Sequence, residues 1–473
     1  MKISGFNVIK TCGDITYIYN SLTSGFVKMN TELWKSVIVD VVGSTSKESK
    51  VFTILRNAGI IIDDDYNELD IYKYKYYSSM FQDASLILSI APTMKCNFNC
   101  FYCFENGNKN EGVMSEDIEK RLIKFISLHK FQDIHITWFG GEPLLGFERI
   151  HSICTHLKRA GINFSSDIIT NGSLLTSSVI EHLDVLNLQY IQITLDGIAE
   201  THDKRRIFKN GAPSFDLIIN NIKELLAKTD IPLSIKVNMD HTNPTALNDI
   251  AAFFNKNFSE YLQKDKIVIS HNYVRNRTDF DKTGKCFTHE DLLRYDQEAL
   301  KHQKTALIHP ELPSIALPCM FRCKSSLAID SQGNIYKCLE HLGAPNNKVG
   351  DLKSGTMSLA KLSHAMFAQN PFHSAECLHC NILPICGGGC PIDREKYIGK
   401  DKRFCSIYKE NLSELIPIFT LINILNNEKN NYLYYSVCSL PFLFRPERAE
   451  GQHYYNSAAW RCCSERAYSG SKN

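Results

Sequence analysis

The chain has 473 residues, enough for two or three domains, and its 44% hydrophobic and 22% charged residues are ordinary globular values. A net charge of +2 excludes a general electrostatic attraction to nucleic acid or to a membrane surface. No signal peptide is visible, and the longest apolar run near the C-terminus, residues 416–425, is too short to span a bilayer. Seventeen cysteines without an export signal therefore predict a cytoplasmic protein that binds metal rather than one held by disulfides.

Residues 1–82 are predicted to form a small N-terminal α+β unit. Its predicted elements are strands at 8–10, 16–19 and 26–29, helices at 31–42 and 47–58, and a connector at 71–80. This unit contains no cluster of reactive side chains. It is either a module that holds a peptide partner or an N-terminal extension, and the pattern alone does not decide between them.

Residues 83–300 alternate between apolar strands and amphipathic helices. The six predicted strands lie at 86–91, 134–139, 167–170, 190–195, 233–237 and 267–271. The five helices between them lie at 115–130, 147–160, 177–186, 215–228 and 245–255. This alternation predicts an α/β fold, a partial (β/α)6 barrel of the TIM type, with its chemistry at the carboxyl ends of the strands.

Three cysteines follow the first of these strands within eight residues: Cys96, Cys100 and Cys103. Three thiolates from one short loop suit an iron–sulfur cluster. A cubane cluster has four irons, so three protein ligands leave one iron open to bind and activate a small molecule. The alternative is a zinc knuckle without its fourth ligand, although zinc sites favour paired C-x2-C motifs.

The segment 310–415 is predicted to be a loop-rich, cysteine-dense domain. Its eight cysteines are twice the number that closes one cubane, and Gly387–Gly389 allows the backbone to wrap tightly around a cluster. A zinc ribbon is the alternative, because Cys377-x2-Cys380 alone would fit zinc. Residues 416–473 are predicted to be the end of a helix and a poorly defined tail.

The cysteine triad resembles the signature of the radical S-adenosylmethionine (SAM) superfamily, and the resemblance continues across residues 85–410. The string Gly140, Gly141, Glu142 and Pro143 follows the second strand and is similar to the GGEP motif of that superfamily. The resemblance implies that the backbone of this string and the Glu142 carboxylate receive the amino group of SAM. Glycines allow close approach of backbone carbonyls, and a carboxylate adds the opposite charge.

Four other residues are SAM contacts by the same resemblance. Asn171 and Asp196 follow the third and fourth strands, and Arg206 ends a string similar to the HD-x2-R motif, whose arginine pairs with the SAM carboxylate. Tyr102 is placed like the aromatic residue that contacts adenine, although packing beneath the loop would explain it equally well.

The later cysteines resemble the SPASM extension, which carries two auxiliary [4Fe-4S] clusters. The order of a cysteine, G-x4-C, C-x2-C-x5-C-x3-C and a last cysteine is matched throughout. The resemblance implies one cluster on Cys319, Cys323, Cys338 and Cys390. It implies a second on Cys377, Cys380, Cys386 and Cys405.

The resemblance implies an oxidoreductase that acts on a peptide or protein. In this family an electron from a donor such as flavodoxin or ferredoxin cleaves SAM, and the resulting 5′-deoxyadenosyl radical takes a hydrogen atom from the substrate. The preferred interpretation is a maturase of ribosomally made peptides, which installs thioether or carbon–carbon links and can hold a leader peptide on an N-terminal module.

Two alternatives to the peptide maturase are retained. The first is an anaerobic sulfatase-maturating enzyme, which makes formylglycine with an Asp base directly after the G-x4-C cysteine. That position is Leu339 in this chain, so Glu340, one residue later, is the candidate base. The second alternative, a non-enzymatic iron–sulfur or zinc scaffold, would have no use for the GGEP string.

Overall fold

The computed structural model describes residues 1–43, 49–107, 112–128, 131–274, 286–287, 291, 313, 315–397, 405–406, 408–426 and 435–436. These residues belong to two compact units, each built from separate parts of the chain. One unit contains Met1–Met80 with residues 369–397 and 405–426, and the other contains residues 81–274 and 319–368. The predicted domain boundaries stay predictions.

The N-terminal part of the first unit is a small sheet with helices. Its elements are β1 (Lys2–Ile3), β2 (Asn7–Cys12), β3 (Ile15–Asn20), β4 (Phe26–Asn30), α1 (Thr31–Val42), α2 (Lys50–Asn57) and β5 (Ile61–Ile62). Strands β2, β3 and β4 form an antiparallel meander, and β1 pairs with β5. The side chain of Asn30 caps α1 by accepting hydrogen bonds from two backbone N–H groups of its first turn. Ile18, Val27 and Leu55 are fully buried between the sheet and the helices.

The predicted connector at 71–80 lies in helix α3 (Glu68–Met80), and its role as a connector stays a prediction. Tyr72, Tyr76 and Met80 recur every four residues and form one buried face. Tyr72 and Tyr76 pack edge-on against Phe372, with ring centroids 5.7 and 5.2 Å apart. Tyrosines at helical spacing thus form a core face, which the sequence interpretation missed.

The second unit contains the predicted parallel strands and confirms the α/β fold class. The strands are β6 (Ser85–Ile90), β7 (Asp133–Trp138), β8 (Ser165–Thr170), β9 (Leu188–Thr194), β10 (Leu233–Met239) and β11 (Ile267–Tyr273). The helices between them are α4 (Glu116–Leu128), α5 (Phe147–Arg159), α6 (Ser177–Ile180), α7 (Ala199–Arg205), α8 (Phe215–Lys228) and α9 (Ala246–Gln263). The strands neighbour one another in sequence order and all pair in parallel. This is the topology of a partial barrel.

The two faces of this sheet differ in polarity. Leu88 pairs with Ile136 and Ile193 with Ile235, and all four are fully buried. Residues that alternate with them, such as Lys236, are polar and occupy the opposite face. The core between the sheet and the helices is therefore apolar, and the interior of the barrel is polar.

Three helical predictions differ in detail. The predicted helix at 177–186 is divided into α6 and a 3-10 turn, Leu183–Leu186. The predicted helix at 245–255 continues to Gln263 through a non-helical residue, Phe258. Helix α7 was not predicted, because seven residues are too few to show a clear helical period.

The chain adds four more strands to the same sheet after the barrel. Strand β12 (Ser326–Ile329) pairs in parallel with β6, and it is followed by β13 (Asn334–Tyr336), β14 (Gly350–Asp351) and β15 (Thr356–Met357). Each of these three pairs antiparallel with the strand before it, and helix α10 (Leu359–Phe367) follows. The sequence interpretation gave this segment no strands because each one is only two to four residues long.

The C-terminal part of the first unit is built from short helices and loops. Its elements are α11 (Ala375–Leu378), α12 (Leu383–Cys386), α13 (Pro391–Tyr397), α14 (Tyr408–Asn426) and β16 (Tyr435–Ser436). Buried residues of α12 and α14, including Ile385 and Leu412, share one hydrophobic core with Val8 and Tyr19 of the N-terminal sheet. Of the predicted tail, only β16 is described. No helix among the described residues is long and apolar enough to cross a membrane.

Candidate active site

The loop after β6 carries the cysteine triad and is fixed at two points. The backbone N–H of Asn99 donates to the carbonyl of Ile207, and that of Lys209 donates to Asn97, both at 2.9 Å. Cys100 is buried, and Cys96 and Cys103 are partly buried. The triad is therefore held against the segment that follows α7.

Burial and mutual repulsion oppose ionisation of these thiols. Burial, with a smaller contribution from the charge of Cys100, raises the pKa of Cys96 and of Cys103 to about 12. Metal binding requires thiolates, so a bound cluster has to supply the compensating positive charge. Burial also raises the pKa of Glu105 to about 8, which favours a neutral carboxyl near Cys103 at neutral pH.

The glycine pair of the GGEP string lies directly against this loop. A Cβ on Gly140, whose φ is +116°, would lie 2.4 Å from the Thr93 carbonyl oxygen, and one on Gly141 would lie 2.3 Å from that of Lys95. The N–H of Glu142 donates to the Lys95 carbonyl at 2.8 Å. Only glycine permits such an approach, so the pair seats the string on the backbone next to Cys96.

Glu142 is fully buried, and its carboxylate holds the neighbouring turn. It accepts hydrogen bonds from Thr170 Oγ1 and the Asn171 N–H, both at 2.7 Å, and from the Leu144 N–H at 3.1 Å. It also caps the 3-10 helix that Pro143 begins. Burial raises the Glu142 pKa, and these hydrogen bonds partly offset the rise. Both oxygens are engaged within the protein, and contact of this carboxylate with SAM stays a prediction.

Asn171 connects the turn after β8 to the cysteine loop. Its Nδ2 donates to Asn97 Oδ1 at 2.8 Å, while Asn97 Nδ2 donates to Ser173 Oγ at 2.9 Å. Ser173 Oγ donates back to Asn171 Oδ1 at 2.6 Å. This closed network fixes the residue beside Cys96, and the sequence interpretation identified only its Asn171 member.

A buried ion network follows the carboxyl ends of β9 and β10. Arg205 donates from Nε to Asp196 Oδ2 at 3.2 Å, and from its two terminal nitrogens to the Asp240 carboxylate at 2.9 and 3.0 Å. The guanidinium also lies 5.1 Å from the ring centroids of Phe101 and Tyr102. Sequence reasoning missed Arg205 and Asp240, although Asp240 directly follows a barrel strand.

Arg206 and Tyr102 meet beside the triad. Arg206 Nη1 donates to the Tyr102 hydroxyl at 2.6 Å, and Asn238 Nδ2 donates to the same oxygen at 3.4 Å. Burial opposes the charge of Arg206, but Tyr102, Cys100 and Asp196 together hold its pKa well above the ordinary value. Arg206 is therefore a permanent cation at this end of the barrel.

Among the buried atoms that lack hydrogen-bond partners in the described part of the chain, Arg206 Nε and Asp196 Oδ1 belong to this site and carry opposite charge. A buried donor or acceptor without a partner destabilises the folded protein unless a ligand forms the missing hydrogen bond. SAM offers a carboxylate for the first and hydroxyl groups for the second, so these residues fit the cofactor that the motifs imply.

His202 and Asp203, the other members of the HD-x2-R string, support Arg206 indirectly. Burial holds the pKa of His202 well below its ordinary value, so the ring is neutral. His202 accepts from the Asp196 N–H at 3.3 Å and contacts Ser214 Oγ at 3.1 Å, and Ser214 Oγ donates to the Arg206 carbonyl at 2.6 Å. Asp203 accepts the first N–H groups of α8. These residues position the backbone of Arg206.

One set of later cysteines surrounds a single cavity. This second cysteine set, Cys377, Cys380, Cys386 and Cys405, lines the cavity, part of which is open to solvent. Gly387, Gly388 and Gly389 have φ values of +60°, +82° and +73°. Glycine adopts this left-handed backbone conformation far more readily than other residues. The run curves the chain around the cavity, and the thiol lining of this cavity suits a cluster.

The first cysteine set, Cys319, Cys323, Cys338 and Cys390, is divided between the two compact units. Cys319, Cys323 and Cys338 belong to the barrel unit, and Cys390, at the start of α13, belongs to the other. Burial, with a smaller contribution from Cys319, raises the pKa of Cys323 to about 12. The buried ammonium of Lys337 donates to the carbonyls of Cys323 and Ser326.

Among the described residues, no three His, Cys, Asp or Glu side chains converge closely enough to bind a single metal ion. A cubane makes a different demand, because each cysteine binds a separate corner. Glu340 lies in the short 3-10 helix Leu339–His341 and is partly buried, and its role as a base stays a prediction.

Comparison with known proteins identifies a family and several relatives of this chain. The model of the radical SAM superfamily matches residues 90–250. The cysteine-type anaerobic sulfatase-maturating enzyme of Clostridium novyi is 27% identical over 70% of this chain and 96% of its own length. The radical SAM cyclopropyl synthase TigE of Paramaledivibacter caminithermalis is 24% identical over 87% of this chain and 94% of its own.

A solved structure shares the fold. SuiB of Streptococcus suis bound to its precursor peptide SuiA has a TM-score of 0.51 and 17% identity. The match covers 86% of this chain and 99% of that structure.

Proposed function

This chain belongs to the radical SAM superfamily, and on that premise we propose that it is a peptide maturase that oxidises its substrate to form a thioether or carbon–carbon link. When bound, the cluster and SAM supply a 5′-deoxyadenosyl radical that removes a hydrogen atom from the peptide. The assignment of the SAM site rests chiefly on one observation: Gly140 and Gly141 contact the backbone directly before Cys96, beside the incompletely hydrogen-bonded Arg206 and Asp196.

The chain's own residues have distinct roles in this proposal. Cys96, Cys100 and Cys103 hold the SAM-binding cluster, and the backbone at Gly140–Pro143 accepts from the SAM amino group. Arg206 pairs with the SAM carboxylate, and Asp196 accepts from a hydroxyl. Arg205 is a positioning residue, because it holds Asp196 and Asp240 together without an exposed donor of its own.

We expect Arg206→Met to weaken SAM binding. The guanidinium provides a charge-assisted hydrogen bond of about 1.5–3 kcal/mol, so affinity should fall roughly 10- to 100-fold. Equilibrium dialysis of SAM against the cluster-loaded protein measures this loss. Tyr102→Phe removes only the partner hydroxyl and serves as the milder control. Unchanged affinity in Arg206→Met would exclude the carboxylate contact.

The eight later cysteines are proposed to hold two auxiliary clusters. Cys319, Cys323, Cys338 and Cys390 would hold the first, and Cys377, Cys380, Cys386 and Cys405 the second. Closed clusters pass electrons rather than bind substrate. They therefore suit removal of the electron that remains after hydrogen abstraction, while a flavodoxin or ferredoxin delivers the initiating electron.

The choice of a peptide maturase rests on the extent of similarity and on one position. The alignment with the cyclopropyl synthase takes in 87% of this chain, compared with 70% for the sulfatase maturase. Leu339 occupies the position where sulfatase maturases place their Asp base. The N-terminal sheet shares its core with helices beside the second cysteine set, and it is proposed to hold a leader peptide.

Sulfatase maturation is the second candidate function. Its support is the 27% identity to the Clostridium novyi enzyme across 96% of that protein. Glu340 would then act as the base in place of the missing Asp. A non-enzymatic scaffold has no comparable support, because it would not need the glycine pair.

A direct comparison of two substrates tests the proposal. The loaded enzyme, SAM and a reductant are incubated separately with a precursor peptide encoded beside its gene and with a sulfatase-derived peptide containing Cys or Ser. Mass spectrometry is expected to show loss of two hydrogen atoms from the precursor and no formylglycine in the sulfatase peptide. Formylglycine formation alone would contradict the peptide-maturase assignment and favour the second candidate.

A further inference from the structure

Two basic side chains reach the thiols of the second cysteine set from different helices. Arg394, in α13, is 1% exposed and donates from Nη1 to Cys377 Sγ at 3.3 Å and to the Gly388 carbonyl at 3.2 Å. Lys409, at the start of α14, is partly buried and places Nζ 3.7 Å from Cys405 Sγ. Both distances are in the usual range for hydrogen bonds to sulfur.

The charges around this cavity are unequal. Arg394, Lys409 and one carboxylate, Glu376, line it together with the four cysteines. A four-iron cluster with four thiolates is an anion, and reduction adds one more negative charge. Cations and hydrogen-bond donors at the sulfurs stabilise the more negative state, and this raises the reduction potential.

The first cysteine set differs in this respect. Its buried cation, Lys337, donates to the backbone carbonyls of Cys323 and Ser326. Two carbonyl dipoles offset part of that charge, whereas Arg394 and Lys409 donate directly to thiols. The two auxiliary sites are therefore electrostatically distinct.

We propose that Arg394 and Lys409 raise the reduction potential of the cluster at Cys377, Cys380, Cys386 and Cys405, and that they make it the enzyme's electron acceptor. This inference rests on the proposed function. After the 5′-deoxyadenosyl radical has taken one hydrogen atom from the peptide and become 5′-deoxyadenosine, the peptide radical and a thiol join with release of one proton and one electron. An oxidised cluster held by these four cysteines would accept that one electron, and an external carrier protein would then remove it.

The test is a redox titration of the auxiliary clusters alone. In the full chain, Cys96, Cys100 and Cys103 are replaced by alanine, so that about eight irons remain. Electron paramagnetic resonance then follows both auxiliary clusters during the titration. We expect Lys409→Met to lower one midpoint potential and leave the other unchanged, Lys409→Arg to restore it, and Arg394→Met to lower it further. Lys35→Met, an exposed lysine that pairs with Glu32, is the matched control.

The decisive variant is Lys409→Met, because this side chain is only partly buried and is not a proposed cluster ligand. An unchanged potential in that fully loaded variant overturns the proposal, as does an equal shift of both clusters or a shift in Lys35→Met. The titration needs neither SAM nor peptide. Its failure is therefore distinguishable from failure of the proposed function, which is judged by SAM cleavage in the chain with an intact triad.

Discussion

Gly141→Ala is expected to reduce SAM cleavage at least roughly 100-fold while most of the iron stays bound. The new Cβ would lie 2.3 Å from the Lys95 carbonyl oxygen, which belongs to the backbone and has no rotamer by which to move away. The string and the cysteine loop must separate, and a displacement of about 1 Å at a catalytic constellation can cost about 100-fold in rate. The assay is release of 5′-deoxyadenosine by the loaded protein with SAM and a reductant.

Gly112→Ala is the matched control for this variant. A Cβ there would meet only the flexible end of Gln332, at an ordinary 3.5 Å, and Gly112 has no positive φ. Its cleavage rate should stay near that of the unmodified protein. Wild-type rates in a fully loaded Gly141→Ala variant would show that the close approach is unnecessary for the chemistry.

Cys100→Ala is expected to abolish release of 5′-deoxyadenosine and to lower the iron content from about twelve to about eight per chain. Cys100 is the buried member of the triad, and the two remaining thiols cannot hold a cubane by three corners. Iron analysis and the cleavage assay together separate loss of one cluster from loss of all three.

Cys154→Ala provides the comparison for Cys100. Cys154 is a fully buried cysteine of α5 outside every proposed ligand set, so its removal costs only a small cavity of about 1 kcal/mol. Iron content and cleavage should both persist. Cleavage that survived in Cys100→Ala would remove the triad from the proposed site.

The parallel strands were predictable because their apolar residues alternate with polar ones. Leu88, Ile136 and Ile235 lie on the buried face, as a period of two requires. Shorter elements were missed because they contain too few residues to show a period: β12 has four residues and α7 has seven. In α3, tyrosines at helical spacing were interpreted only as a connector.

The site was predictable where a motif lies in one stretch of chain and not where it depends on the fold. Gly140 and Gly141 were identified from their string, but their contact with Thr93 and Lys95 depends on how β6 and β7 pair. Arg205 was missed because its partner Asp240 is 35 residues away, and parallel pairing of the strands brings the two together. A sequence therefore identifies a reactive residue more readily than the distant residues that hold it in position.

Transfer of deuterium from the peptide to 5′-deoxyadenosine tests most directly whether this chain is a radical SAM peptide maturase. The loaded full chain is incubated anaerobically with SAM, a reductant and a deuterated precursor peptide, and the 5′-deoxyadenosine is analysed by mass spectrometry. A radical SAM peptide maturase is predicted to release 5′-deoxyadenosine that carries deuterium from the peptide. Protein with about twelve irons that forms no 5′-deoxyadenosine under these conditions would contradict the account.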